Sequence, residues 1–381
     1  MKRLISVVAL LLVVAGTGYA RTQKGGDEKK ARSFTVTKGG TLDISVNGGD
    51  LRIATWEKNE VAVRVRLSDD EEEGSDVKMS QEGNTIRITD REHWNDIERL
   101  DVSVPVQFNL QLETANGDIG IRGRVTGDIN GETSAGNITM EDVVGDVEMQ
   151  TSGGDIRTGK ITGKATLRTS GGEIEVVSST GPLDLKSSGG DLRVGNVGKS
   201  LRAKTAGGDI VIGDVGGEAT VATAGGNVRV GKVTGQASLT TAGGDVELSG
   251  GTGSILASTS GGNIMLSNLS GSVDARTSGG DIHAELIPSG KGKSRLSSSN
   301  GTIRLFLPAS AKATITARIR IQGWWRTEQD AYEVRSDFKA ESSSRDDDER
   351  AIESKYILNG GGESITLETV NSDIEIRKLA R

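Results

Sequence analysis

The chain has 381 residues, of which 54 are Gly, 4 are Pro and none is Cys. Collagen is excluded because it needs Gly at every third position and abundant Pro, and a disulfide-stabilised scaffold is excluded because Cys is missing. The formal net charge is -7, from 46 basic and 53 acidic residues that are interspersed along the chain. This charge favours solubility and provides no positive electrostatic field that would attract nucleic acid. So much Gly with so little Pro indicates an ordered chain that turns often.

The first twenty residues have the pattern of a secretory signal peptide. Basic residues open the chain, an apolar run extends from Leu4 to Val14, and small residues precede a cleavage site predicted after Ala20. The apolar run is short for a membrane span of about 20 residues. We therefore expect an exported protein, located in the periplasm, at the cell surface or outside the cell, with no stable membrane insertion after cleavage.

A six-residue motif recurs through the middle of the chain and is the most specific signal in the sequence. Its starts are spaced by 19 residues once, then by 18 residues eight times in succession, then by 21 residues. The copies are TANGDI at 114, TSAGNI at 133, TSGGDI at 151, TSGGEI at 169, SSGGDL at 187, TAGGDI at 205, TAGGNV at 223, TAGGDV at 241, TSGGNI at 259, TSGGDI at 277 and SSNGTI at 298. A fixed period of this kind is typical of a repeat protein whose units stack on one another.

Each 18-residue unit contains two short alternating runs separated by glycine columns. Apolar and polar residues alternate after the motif, as in Ile174-Glu175-Val176, and a second run alternates likewise, as in Leu183 and Leu185. Alternation predicts short β-strands with one buried face, and glycine at this frequency excludes helix. The predicted fold is all-β: a parallel β-solenoid, or single-stranded β-helix, of about ten 18-residue coils.

The two flanks of the repeat keep the strand alternation but lose the 18-residue period. Solenoid ends must cover an open hydrophobic cross-section, a task that atypical terminal repeats perform, so we expect both flanks to cap the stack. The predicted organisation is a signal peptide at 1–20, a flexible lead-in at 21–33, an N-terminal β cap at 34–113, the repeat solenoid at 114–303 and a C-terminal β cap at 304–381.

The repeated TSGGDI units, the opening GGTLDISVNGGDLRI (39–53) and the late NGGGESITLETVNSDIEIRK (359–378) resemble the bacterial DUF4097 family of proposed adhesins with β-strand repeats. The resemblance extends over about residues 34–378 and implies a β-solenoid in the bacterial envelope with no established chemistry. The family defines no catalytic residues, so none is carried over. This chain differs from a shorter member in its long run of near-identical coils.

An acidic column follows the glycine pairs and is the first candidate site. Calcium-binding β-rolls place GGxGxD every nine residues so that adjacent turns share an ion, whereas here half of that motif is missing. We favour Asp and Asn that begin a strand and bond locally to backbone N–H groups, and keep calcium as the alternative. The column contains Asp118, Asp155, Asp191, Asp209, Asp245 and Asp281, interrupted by Glu173, Asn137, Asn227 and Asn263.

A threonine column opens most copies of the motif and could suggest an ice-binding array. Leu167, Leu185 and Leu239 lie two residues before this column and are predicted to face inward. Alternation therefore turns the threonines inward or to a corner, where the hydroxyl meets turn backbone, so ice binding is disfavoured. The column contains Thr133, Thr151, Thr169, Thr205, Thr223, Thr241, Thr259 and Thr277.

Trp324 and Trp325 are the candidate partner-binding residues of the chain. Adjacent strand residues point to opposite faces, so one ring is predicted to pack on the cap and the other to be exposed for a sugar or a protein partner. The alternative is that both rings belong to the cap.

Catalytic constellations are scarce in this sequence. Besides the missing Cys, the only histidines are His93 and His283, and Glu92, His93 and Asp96 form a weak metal cluster that a solvated loop explains better. Some β-helical polysaccharide lyases and hydrolases build clefts from loops between coils, but the constant spacing leaves room for only one small bulge near Pro288. We predict no catalytic residues, no cofactor and no metal ligands.

The function predicted from the sequence is an exported, non-catalytic β-solenoid that serves as an envelope scaffold or adhesin-like binding module. Its expected partner is an envelope polymer or protein, and nucleic acid is not expected. One alternative is a regulatory or sensory accessory in envelope stress, and a less favoured one is a polysaccharide-active β-helix enzyme.

Overall fold

The computed structural model describes residues 30–67, 77–90, 97–288, 292–322, 332–346 and 350–379. Within these ranges the regular elements are β-strands. No helix in the same ranges is long and apolar enough to cross a membrane. The predicted signal peptide and residues 21–29 of the predicted lead-in lie outside the described residues, whereas residues 30–33 of the lead-in belong to the first β-strand.

The N-terminal region contains longer strands than the repeats that follow it. Its alternating apolar residues predict this, because each strand buries every second side chain. These strands are β1 (Lys30–Thr35), β2 (Gly40–Val46), β3 (Asp50–Trp56), β4 (Glu60–Leu67), β5 (Lys78–Glu82), β6 (Thr85–Thr89), β7 (Ile97–Pro105) and β8 (Phe108–Thr114).

Most repeat units contribute two short strands with glycine corners between them, and the first two units add a third strand of two residues. These strands are β9 (Ile119–Arg122), β10 (Val125–Thr126), β11 (Ile129–Thr133), β12 (Ile138–Met140), β13 (Val143–Val144), β14 (Val147–Thr151), β15 (Ile156–Thr162), β16 (Ala165–Arg168), β17 (Ile174–Ser179), β18 (Leu183–Lys186), β19 (Leu192–Val197), β20 (Leu201–Lys204), β21 (Ile210–Ile212), β22 (Ala219–Ala222), β23 (Val228–Val233), β24 (Ala237–Thr240), β25 (Val246–Gly251), β26 (Ile255–Ser258), β27 (Ile264–Leu269), β28 (Val273–Thr277) and β29 (Ile282–Leu286).

The C-terminal region returns to longer strands that again alternate between buried and outward side chains. These strands are β30 (Lys293–Ser298), β31 (Ile303–Leu307), β32 (Ala313–Arg320), β33 (Val334–Ser336), β34 (Ser342–Asp346), β35 (Ala351–Leu358), β36 (Glu363–Val370) and β37 (Ile374–Lys378).

Strands from successive coils pair in parallel and in register, so the repeat becomes two stacked sheets. Ile156 lies opposite Ile174 in one sheet, and Val147 lies opposite Ala165 in the other. Sheet A has the order β1-β4-β7-β3-β9-β12-β15-β17-β19-β21-β23-β25-β27-β29-β31-β37-β33, and in addition β13 pairs with β15 and β10 pairs with β13. Sheet B has the order β5-β6-β2-β8-β11-β14-β16-β18-β20-β22-β24-β26-β28-β30-β36-β32-β35-β34.

The core is a continuous column of aliphatic side chains between the two sheets. Ile156, Ile174 and Ile210 from sheet A are 0% exposed, as are Leu167 and Leu185 from sheet B. Most outward neighbours in the repeat strands are polar or charged, as the alternation predicts. The exposed apolar exceptions on these strands include Val177, Val211 and Met265. The parallel β-solenoid predicted from the 18-residue period is thereby confirmed.

The second glycine of each motif is required by close approach between coils. A Cβ placed on Gly154 would collide with the carbonyl oxygen of Gly136 in the coil before it, and Gly172 stands in the same relation to Gly154. The first glycine is less restricted, because a Cβ on Gly153 would lie 3.5 Å from the carbonyl oxygen of Ala135. Glycine therefore allows the coils to approach one another at the second position of the pair.

The N-terminal coils do not stack in chain order. The coil formed by β2 and β3 lies between the β6–β7 coil and the β8–β9 coil, so that Leu42 pairs with both Ile86 and Leu110. Beyond the β6–β7 coil, β4 pairs antiparallel with β7, and β1 pairs antiparallel with β4. The stack thus continues into residues 40–122 before antiparallel strands end it.

The C-terminal end repeats this interleaving. The last coil of the chain, formed by β36 and β37, lies between the β30–β31 coil and the strands β32 and β33. Leu367 pairs with Leu296 on one side and with Ala317 on the other, and β35 pairs antiparallel with β32. The domain boundaries drawn from the sequence stay predictions, since β8 pairs with β11 across residues 113 and 114 without interruption.

Candidate functional site

Several residues that the sequence singled out lie outside the described residues. Trp324 and Trp325, the candidate partner-binding pair, belong to this group and stay a prediction. The weak cluster of Glu92, His93 and Asp96 lies outside as well.

The threonine column is buried and serves the turn backbone. Thr151 is 1% exposed, and its hydroxyl donates to the carbonyl oxygen of Gly136 at 2.8 Å while accepting from the N–H of Gly154 at 3.2 Å. Ser187 repeats both bonds with Gly172 and Gly190. The predicted inward orientation is confirmed, and the hydroxyls do not form an array open to solvent.

The acidic column links each coil to the next one. The Oδ1 atom of Asp155 accepts a hydrogen bond from the backbone N–H of Glu173 at 2.9 Å, and Asn137 accepts from Asp155 at 2.9 Å. A backbone N–H partner agrees with the prediction, but the donor lies 18 residues further on instead of in the same turn. Among the described residues, no three His, Asp or Glu side chains are grouped so that they could hold a metal ion.

The described histidine lies on the outer face of sheet A near the C-terminal end. The ring of His283 stacks on Phe306 with centroids 4.6 Å apart, and its Nε2 atom lies 3.9 Å from a carboxylate oxygen of Glu285. The bulge expected near Pro288 begins after β29, and residues 289–291 within it lie outside the described ranges. The sequence pattern did not single out Phe306, which is one of several aromatic residues in the flanks of the repeat.

A concavity of about 710 Å³ lies on the outer face of sheet A at its N-terminal end. The depression forms where Gly120 on β9, which has no side chain, lies between Arg52 on β3 and Thr139 on β12 in the register of the sheet. Five arginines line it, and they are Arg52, Arg64, Arg66, Arg99 and Arg122. The sequence did not reveal this site, because its strands become neighbours only through the interleaving of the N-terminal coils.

Carboxylates offset part of the positive charge of this concavity. Asp101 lies 3.0 Å from Arg99 and 3.8 Å from Arg66, and Asp50 lies 3.6 Å from Arg52. The Arg99 side chain is 14% exposed, so it is held against the sheet. Asp118 and Glu141 also line the concavity.

Arg122 is the arginine best placed to meet a ligand. It is exposed at the end of β9 and forms no ion pair with any residue in the described ranges. Beside it, Glu141 accepts a hydrogen bond from the backbone N–H of Gly123 at 2.8 Å, which holds that carboxylate at the rim. The site therefore offers planar guanidinium donors next to carboxylate acceptors.

The chain has weak counterparts among known proteins. No protein with a curated description matches the chain significantly. Among solved structures, the chain is similar to a proposed cell adhesion protein from Clostridium sporogenes ATCC 15579, with 9% identity, 92% of this chain and 99% of that chain covered, and a TM-score of 0.15. It is also similar to a proposed adhesin from Bacteroides fragilis NCTC 9343, with 11% identity, 92% and 96% coverage, and a TM-score of 0.16.

The family comparison covers most of the chain. A family model described as Toastrack DUF4097 matches residues 40–215 and again residues 197–377. The two matches overlap within the repeat and reach from the first interleaved coil to the last one. The resemblance seen in the sequence is confirmed, and the chain belongs to the DUF4097 family.

Proposed function

We propose that this protein is a non-catalytic, adhesin-like binding module that is exported to the cell envelope and holds an envelope polymer or protein on the outer faces of its solenoid. Membership of the DUF4097 family supports the proposal. The signal-peptide pattern of residues 1–20 supports export.

The observation that carries the proposal is the regular outer face of the stack. Arg157, Glu175 and Arg193 occupy one column on adjacent strands of sheet A, so side chains recur about every 4.8 Å along the stack. Arg157 lies 2.9 Å from Asp155 and 3.7 Å from Glu175, which holds the column in place. A preorganised polar ladder loses little side-chain entropy when an extended polymer binds to it.

The arginine-lined concavity is the contact site that we assign to this function. Guanidinium groups bind carboxylate, sulfate or phosphate in a bidentate manner, and Arg122 is free to do so. Carboxylates such as Asp118 and Glu141 accept hydrogen bonds from hydroxyl groups. This combination suits an anionic glycan, which carries both kinds of group.

Binding to envelope fractions tests the proposal. Purified protein is immobilised and exposed to polysaccharide, peptidoglycan, membrane and soluble protein fractions, and the retained material is identified. Arg122→Glu is expected to abolish retention of an anionic glycan, whereas Arg276→Glu, the same change on an exposed residue of sheet B far from the concavity, is expected to preserve it. Equal retention by both variants, or no retention by the wild type, contradicts the proposal.

Two further measurements address catalysis and location. Incubation of the retained glycan with the protein is expected to leave its chain length unchanged, and release of shorter fragments would show an enzyme instead. Cell fractionation combined with surface proteolysis of intact cells is expected to find the protein outside the cytoplasm. Recovery from the cytoplasm alone contradicts export.

A further inference from the structure

The outer face of sheet B carries its charges in two separate patches. The acidic patch comprises outward residues on β8, β11 and β14 and the corners before them, namely Glu113, Asp128, Glu132, Asp146 and Glu148. The basic patch comprises outward residues on β16, β18 and β20 and the adjoining corner, namely Lys164, Arg168, Lys186, Arg202 and Lys204. The strands of the two patches are consecutive in the sheet.

Charges within each patch are hardly compensated by their neighbours. The two patches meet where Arg168 lies 3.6 Å from Glu148. Asp184 is the one carboxylate among the outward residues of the described strands β16, β18 and β20. Like charges held together on an exposed face favour a partner of opposite charge.

We propose that two copies of this chain associate through the outer faces of sheet B, related by a two-fold axis that runs parallel to the strands between β14 and β16. This symmetry places the acidic patch of each copy on the basic patch of the other, and the two stacks run antiparallel. It is the commonest symmetry of soluble oligomers, and its interface is self-complementary by construction.

Rotation about this axis leaves the position of each residue along the strand direction unchanged. It reverses the order of the strands, so the strands face one another in pairs. It exchanges β11 with β18, so Glu132 faces Lys186 of the second copy, and it exchanges β8 with β20, so Glu113 faces Lys204 of the second copy. At the corner before the strands, Asp146 faces Lys164 of the second copy. These placements follow from the parallel in-register pairing of the strands between β8 and β20.

The remaining positions in these rows are compatible with the same arrangement. Gln150 faces Arg168 of the second copy, Gln111 faces Arg202, and Asn130 faces Asp184, so amides meet charged groups and no like charges oppose one another. A translation of the second copy by one coil places Glu148 opposite Glu148 of the second copy in one direction and opposite Asp184 in the other. The alignment between β14 and β16 avoids both of these like-charge contacts.

The available area is sufficient for a specific but weak dimer. An overlap of about ten strands, each about 4.8 Å apart and about four residues wide, is about 48 Å by 13 Å, or about 600 Å² per copy. Both copies together bury about 1,200 Å², the lower end of the range for specific interfaces. Because exposed ion pairs are screened over about 8 Å at physiological salt, the dimer is expected to dissociate as salt rises.

Sedimentation equilibrium of the purified wild type and charge-exchange variants tests the proposal. In low salt the wild type is expected to dimerise, and about 0.5 M NaCl is expected to weaken the dimer at least tenfold. Glu132→Lys and Lys186→Glu each place two like-charge pairs in the interface and are expected to weaken it at least tenfold. The double variant Glu132→Lys/Lys186→Glu restores both pairs and is expected to return the dissociation constant to within about threefold of the wild type.

The control is Glu247→Lys, an equal charge change on the outer face of sheet A, which is expected to leave dimerisation unchanged. A wild type that stays monomeric in low salt at about 100 µM overturns the proposal. So does a double variant that stays as weak as the single variants, because the two side chains then do not face each other. Circular dichroism of each variant confirms that the outward substitutions preserve the fold.

Discussion

The hydroxyl of Thr151 donates a hydrogen bond to the carbonyl oxygen of Gly136, which lies 15 residues earlier and in the preceding coil, at 2.8 Å. The same relationship recurs between Thr169 and Gly154 at 2.8 Å. Each buried threonine therefore satisfies a turn carbonyl that would otherwise have no partner inside the stack. The motif needs a hydroxyl at this position for the packing of the coils.

Replacing this hydroxyl is expected to destabilise the protein. Thr151→Val keeps the size of the side chain but leaves the Gly136 carbonyl and the Gly154 N–H unpaired, which costs about 1–3 kcal/mol. Thr151→Ser is the control, because Ser187 makes the same bonds in its own coil. Urea unfolding measures both, and equal midpoints for the valine and serine variants contradict this role.

The two glycines of one motif are expected to respond differently to alanine. Gly154→Ala drives a Cβ into the Gly136 carbonyl and is expected to lower the free energy of unfolding by about 1–3 kcal/mol, as overpacking does. Gly153→Ala meets ordinary contact distances, and Ala135 occupies the equivalent place in the preceding coil. Thermal unfolding is expected to show a lower melting temperature for Gly154→Ala only. A similar decrease for both variants contradicts the close approach of the coils at Gly154.

The middle coils could be predicted from the sequence because their inward positions repeat at a fixed spacing. Ile156, Ile174 and Ile210 all belong to one sequence column and to one buried column of the structure. The inward orientation of Thr151 followed from the same alternation. The sequence pattern predicts the structure wherever two coils that are adjacent in the stack are also consecutive in the chain.

The order of the end coils could not be predicted in this way. Leu42 and Leu110 show the same strand alternation, and alternation does not specify which strand lies beside which. The concavity depends on that order, because Arg52 and Gly120 become neighbours only when β3 pairs with β9. The concavity therefore could not be predicted from the sequence, although the sequence contains all of its residues.

Calcium is expected to have no effect on stability. The Oδ1 atoms of Asp155 and Asp245 already accept backbone hydrogen bonds from the next coil, and Asn227 interrupts the charge of the column. Calcium needs six to eight oxygen ligands, which this ladder does not gather at one point. Titration calorimetry and thermal melts with millimolar calcium are expected to show neither heat nor a shift, and a raised melting temperature would restore the calcium interpretation.

The C-terminal end is expected to loosen in acid. Asp337 accepts hydrogen bonds from the backbone N–H of Lys378 at 2.9 Å and from the Arg377 guanidinium at 3.2 Å, and these bonds, that of Lys378 first, lower the pKa of Asp337. Because the folded pKa lies below the ordinary value of about 3.9, the stabilisation is complete above that value and is lost as the pH falls through the folded pKa.

An NMR titration of the Asp337 carboxyl checks this sign. The midpoint is expected below about 3.9, and protection of the Lys378 amide from hydrogen exchange is expected to fall over the same pH range. Asp337→Asn is the control, in which the amide protection no longer depends on this titration. A midpoint at or above the ordinary value contradicts the role of these hydrogen bonds.

The chain forms one continuous stack, and its last coil is inserted between two earlier ones. Since the chain has no Cys, engineered cysteine pairs report directly on which strands are neighbours. Thr366 on β36 pairs with both Arg295 on β30 and Thr316 on β32, so Arg295 and Thr316 are separated by two strand spacings, about 9.6 Å.

Disulfide formation under mild oxidation, followed by mass spectrometry, tests this arrangement most directly. Arg295→Cys/Thr366→Cys is expected to form a disulfide, because adjacent strands bring the Cα atoms within the 4.4–6.8 Å or so that a disulfide requires. Arg295→Cys/Thr316→Cys is expected to stay reduced. The opposite result, with the second pair bridged and the first pair reduced, would show that the coils stack in chain order and would contradict the account.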